Sequence, residues 1–131
     1  MTDPALTIDG NRFDDIAGFY AEINRVFMAD EDWQLGESLD ALDDMLYGGY
    51  GALHALPEAT ITWLNIDKSR SDLGVTATRG WLQAKLDQPG RFNSRSIRAQ
   101  LEALNAGQGQ TYFDLIMQIF GDHPRLRLIP A

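Results

Sequence analysis

Apolar residues recur along this chain with two different periods, and the changes between them mark out its elements. Ala5–Asp9 (ALTID) is a short apolar run closed by Gly10-Asn11, the pattern of a strand entering a turn. Phe13, Ile16, Ala17, Tyr20, Ile23 and Phe27 then return every three or four residues, which predicts one apolar face of a helix reaching about Met28. Asp14 and Asp15 suit its first turn, where carboxylates meet the positive end of the helix dipole. Ala29 to Leu35 is polar and reads as a loop.

Leu39, Leu42 and Leu46 predict a second, short helix, capped by Glu37 or Ser38. Gly48-Gly49 ends it, because glycine accepts the left-handed conformation common at helix C-termini. At about 100° per residue, Glu37, Asp40 and Asp44 fall opposite the leucines, with Asp43 and Tyr47 beside them. No Lys or Arg shares this segment. Like charges four residues apart, such as Asp40 and Asp44, cost roughly 0.2–0.5 kcal/mol on a helix. A segment that accepts this cost is suited to face something basic.

The second half repeats the alternation of strand and helix. Thr60–Ile66 (TITWLNI) is rich in β-branched residues and reads as a buried strand. Residues 67–78 are polar, with room for a short helix. Gly80–Leu86 and Ser94–Asn105 read as two helical pieces separated by Pro89-Gly90, and Gly107 and Gly109 break the pattern. Thr111–Phe120 (TYFDLIMQIF) is a strongly apolar helix, Asp122–Pro124 a turn, and Arg125–Ile129 (RLRLI) a last strand. Strands separated by helices predict an α/β fold: a small three-stranded parallel sheet with right-handed crossovers, flanked by helices, in a single domain spanning 1–131.

Charge sharpens this picture. Residues 1–58 hold 13 acids and 2 bases, whereas 59–131 hold 6 acids and 9 bases. Seven of the acids lie between Asp30 and Asp44, where there is no base. Such a surface repels nucleic acid phosphates and attracts a basic protein. The chain has no cysteine, which excludes disulfides, thiol catalysis and thiolate metal sites. No apolar run approaches the length of a membrane span, and MTDPALTIDG lacks the basic flank and apolar stretch of a secretory signal. The expected location is therefore cytoplasmic.

Few residues offer other chemistry. Asp40 and Asp44 as an acid–base pair would need a cleft and one raised pKa, and as metal ligands would need oxygens converging from several sides. One exposed helix supplies neither, so no enzyme activity, cofactor or metal is expected. His54 and His123 stand alone in sequence and read as surface or capping residues; Trp63 and Trp81 read as packing residues. Gly48-Gly49-Tyr50-Gly51 follows a helix and lacks the phosphate-loop lysine, so it reads as a turn. Residues 67–108 carry seven bases and four acids, with Arg91, Arg95 and Arg98 close together. These form a solvated face, pair with the acidic half, or offer a second contact surface.

The order strand, helix, loop, then Gly36-Glu37-Ser38-Leu39-Asp40-Ala41-Leu42-Asp43-Asp44, resembles barstar-type ribonuclease inhibitors. Their second helix carries aromatic–aromatic–Gly–Glu–Asn–Leu–Asp–Ala–Leu–Trp–Asp. Gly36, Glu37, Leu39, Asp40, Ala41, Leu42 and Asp44 match it. Gln34 and Leu35 replace the two aromatics, with Trp33 adjacent, and Asp43 replaces the tryptophan. The resemblance covers roughly 5–66 and 109–130 and leaves a helical insertion around 79–106. It implies a basic, extracellular-type or toxin ribonuclease as partner, met by Asp40 and Asp44, in the manner of an immunity protein. Trp33, Gln34, Leu35, Gly36 and Glu37 would supply the loop half of the surface, with Asp43 and Tyr47 at its margin. The alternative is an acidic interaction module with a non-nuclease partner.

Overall fold

The computed structural model describes residues 5–88 and 90–131. Pro89, expected to separate two helical pieces, and the first four residues of the expected domain lie outside the described residues. Three strands, β1 (Ala5–Asp9), β2 (Ala59–Leu64) and β3 (Leu126–Pro130), form one sheet in the order β1-β2-β3. Both pairings are parallel, with Ile8 opposite Trp63 and Ile61 opposite Leu128. Six α-helices accompany them among the described residues: α1 (Ile16–Phe27), α2 (Leu39–Leu46), α3 (Ile66–Asp72), α4 (Val75–Leu86), α5 (Ser94–Asn105) and α6 (Tyr112–Gly121). This is the α/β architecture that the alternation of periods predicts.

The core forms on one face of the sheet. Along β2, Ala59, Ile61 and Trp63 are buried, while Thr60 and Thr62 on the opposite face are only half-buried. Trp63 stacks on Phe19 of α1 with ring centroids 5.7 Å apart, and meets Phe113 and Phe120 of α6 edge-on. Its indole N–H donates to the buried Ser69 hydroxyl at 2.9 Å, so this large ring brings no unpaired donor into the core. Tyr20 and Tyr112 share a hydrogen bond of 2.6 Å between their hydroxyls inside the same core. Burial and this contact push the Tyr20 phenol far above its ordinary range.

Several expected boundaries shift, each for a local reason. The strand expected at Thr60–Ile66 ends at Leu64, because Asn65 takes the left-handed conformation (φ 53°) and Ile66 already opens α3. The helix expected from Gly80 begins at Val75, and Gly80 lies inside it. Thr78 explains the earlier start. Its hydroxyl donates to the Gly74 carbonyl at 2.7 Å and accepts the Tyr112 backbone N–H at 2.7 Å, fixing α4 to the first turn of α6. The α6 end is further satisfied by a capping box between Thr111 and Asp114. The segment expected as a helical insertion is a hairpin of α4 and α5 around a small core of its own, Leu82, Ile97 and Leu104. Trp81 packs against both this cluster and the main one.

Candidate partner-binding surface

The surface is built around α2, and three contacts fix it. Ser38, not Glu37, is the N-cap: its hydroxyl accepts the Ala41 N–H at 3.3 Å. Leu42, Met45 and Leu46 are fully buried, whereas Leu39 stands half-buried at the rim. The apolar face is therefore centred one step further round the helix than the three leucines alone predict. At the C-terminal end Arg125 donates to the carbonyls of Leu46 (2.5 Å) and Leu56 (2.8 Å). It satisfies a carbonyl left without an intrahelical partner and sets a cation at the negative end of the helix. Gly48 turns the chain with φ 86°, and a Cβ there would come within 2.6 Å of the Arg125 guanidinium.

The loop before α2 is pinned from inside. Asn24 of α1, itself buried, accepts the Leu35 N–H at 2.8 Å and donates to the Leu35 carbonyl at 3.2 Å. Leu35, expected on the partner-facing side of the loop, is instead 7 % exposed and belongs to the core. Its role is to anchor its neighbours. Trp33 remains 44 % exposed, and Gln34, Gly36 and Glu37 are exposed. A side chain at Gly36 would meet open space, so no contact within the chain demands glycine there. Glu31 draws the following turn toward this loop by accepting the Gly51 N–H at 2.9 Å.

The acidic residues of α2 have three different surroundings. Asp44 is exposed and accepts the Tyr50 hydroxyl at 2.8 Å. Tyr50 in turn packs on Trp33, with ring centroids 4.7 Å apart. Burial first, and then this hydrogen bond, push the Tyr50 phenol up to about 12. Trp33, Tyr50 and Asp44 thus form one continuous patch that joins the loop to the helix. Asp40, also exposed, lines a groove shared with Lys85 of α4 and with Arg91 in the turn after it. Asp43 is engaged elsewhere: it meets His123 Nε2 at 2.7 Å. His123 is 4 % exposed in an edge-to-face contact with the Tyr47 ring, so of its two expected places, surface or cap, the structure excludes the surface; His54 is exposed. Tyr47 itself stays 69 % exposed.

Sequence reasoning missed Tyr50, Asn24, Arg125 and His123 as parts of this surface's framework. Among the described residues, no three His, Asp or Glu side chains gather as a metal site, and no helix is long and apolar enough to cross a membrane.

Residues 4–92 match the family model described as Barstar (barnase inhibitor). The chain belongs to the barstar family. The match contains α2 and the loop before it, though not His123 and Arg125 that support them, and extends through α4, so the first half of the segment expected outside the barstar resemblance lies inside it. Residues 93–131, with α5, α6 and β3, lie beyond the match. No curated protein and no solved structure matches the chain.

Proposed function

We propose that this protein inhibits a basic ribonuclease of the barnase type by seating α2 and the loop before it on the enzyme's active site. The observation that carries the reading is the state of Asp40 and Asp44. They are exposed, one helical turn apart, and neither forms a salt bridge among the described residues. A ribonuclease needs cations to stabilise charge on the phosphoryl group it transfers. Two carboxylates spaced by one turn can take the place of phosphate oxygens among those cations. Membership of a family of barnase inhibitors supports the same reading.

In this account Asp40 and Asp44 bind the phosphate-recognising cations. Trp33, Gln34, Gly36 and Glu37 cover the flank of the active site, and Leu35 holds that loop in place from the core. Gly36 leaves its backbone open to close approach by the partner. Tyr47 and Asp43 border the contact, Asp43 through its hold on His123. The protein acts by occlusion, without turnover, cofactor or metal, and does so in the cytoplasm, where it shields cellular RNA from the nuclease. The test is hydrolysis of RNA by barnase in the presence of increasing protein. Activity is expected to fall toward zero near equimolar inhibitor. Hydrolysis that continues in excess protein would contradict the reading, and would leave the same face to an acidic module with a non-nuclease partner.

A further inference from the structure

The α4–α5 hairpin brings a second kind of charge onto the proposed interface. A groove of about 580 Å3 separates the N-terminal end of α2 from α4 and the turn that follows it. Small-molecule pockets commonly run to roughly 300–1,000 Å3, so the groove has room for a few side chains. Glu37 and Asp40 stand on one wall and Lys85 and Arg91 on the other, with Trp81 and Phe92 beside the cations. Lys85 Nζ is 3.9 Å from the centroid of the Trp81 ring and 5.4 Å from that of Phe92. The Arg91 guanidinium lies 5.7 Å from the same Phe92 ring. These ring faces attract the cations and limit where they can move.

Among the described residues the two walls make no ion pair with each other, and none of the four charged groups forms a salt bridge. Burial lowers the Lys85 pKa, and Asp40 across the gap partly opposes that shift. A partner covering the groove must therefore answer both signs, because a charge buried without a counter-charge is strongly unfavourable. A purely basic segment would set like charge against Lys85 and Arg91, and a purely acidic one would do so against Glu37 and Asp40.

We propose that this groove is the second half of the interface and takes a segment of the ribonuclease that carries a carboxylate beside its basic residues. The basic side chain faces Glu37 and Asp40, and the carboxylate faces Lys85 and Arg91. The inference rests on reading α2 as the nuclease-binding helix. It makes the hairpin a specificity element, since repulsion from its cations rejects basic enzymes that lack the carboxylate.

The sign of the charge-reversal effect separates this role from a bystander one. Replacing both cations, K85E/R91E, makes the protein more acidic and by long-range attraction alone should speed and tighten its encounter with a basic enzyme. If the groove holds a carboxylate, the Kd for barnase instead rises at least about tenfold, and K85Q/R91Q weakens binding in the same direction. Unchanged or tighter binding by both variants, with folding confirmed by circular dichroism, overturns the inference. D44A distinguishes the two levels. Weak binding by D44A with normal binding by K85E/R91E removes the groove and leaves α2, whereas normal binding by both D40A and D44A removes the α2 reading together with the groove inference that rests on it. A nuclease-free arm uses blocked heptapeptides and the Trp81 indole resonance. A peptide alternating Lys and Glu should shift it further than an all-Lys or all-Glu peptide; an equal shift from a single-sign peptide contradicts the dipolar groove.

Discussion

Tyr50 links the chemistry of single residues to the surface they form. It packs on Trp33 and donates to Asp44, so it orients both the loop and the carboxylate. Its pKa rises from 10.0 to about 12, which fixes a sign. Well below pH 10 the phenol is protonated in the folded and unfolded chain alike. As pH rises from there toward about 12, the unfolded chain loses the proton first, so this contribution to stability is lost across that window. Denaturant unfolding measured from roughly pH 9 upward should show stability falling, and Tyr50→Phe should lessen the fall. An equally steep decline in the variant would contradict the assignment. Asn24 offers a second check. Asn24→Ala strands the Leu35 N–H and carbonyl and should cost about 1–3 kcal/mol, with faster amide exchange from Trp33 to Glu37. The exposure of Asp40 and Asp44 on one face of α2 was legible in the sequence, because helical spacing sets them opposite the buried leucine side. Leu35, His123 and Arg125 were not, because their partners, Asn24, Asp43 and Leu46, lie 11, 80 and 79 positions away.

At the scale of elements, the periodic segments were readable and the irregular joints were not. β1, α1, α2, α6 and β3 follow from runs whose period matches their burial. The early start of α4 is different: Thr76, Thr78 and Gly80 are poor helix formers, and Thr78's contacts with Gly74 and Tyr112 hold that turn. The hairpin core was equally hidden, since Leu82 and Ile97 come from separate helices. A cluster of three buried residues should open more readily than the main core. Hydrogen exchange should therefore show α4–α5 amides exchanging ahead of β2. Ile97→Ala should weaken hairpin protection by about 2–4 kcal/mol while β2 protection changes little. Exchange of both regions at one rate, in wild type and variant, would show that the hairpin has no separate opening.

The whole molecule carries a net charge of −8, concentrated in the half that contains α2. Composition showed that imbalance, and the fold turns part of it into a shaped surface by aiming Glu37, Asp40 and Asp44 outward. Attraction between this surface and a basic enzyme is screened by salt. Association should slow steeply from roughly 50 to 500 mM salt while dissociation changes less, as stopped-flow mixing can measure. A salt-independent association rate would remove electrostatics from the account. The central claim, that two carboxylates on α2 carry recognition, meets its most direct test in the affinity of Asp40→Ala and Asp44→Ala for barnase, measured alongside their unfolding free energies. Each substitution should weaken binding by about 2 kcal/mol or more while changing stability by less: under about 0.5 kcal/mol for Asp40→Ala, and about 1 kcal/mol for Asp44→Ala, which also loses the Tyr50 hydrogen bond. Wild-type affinity in both variants would contradict it.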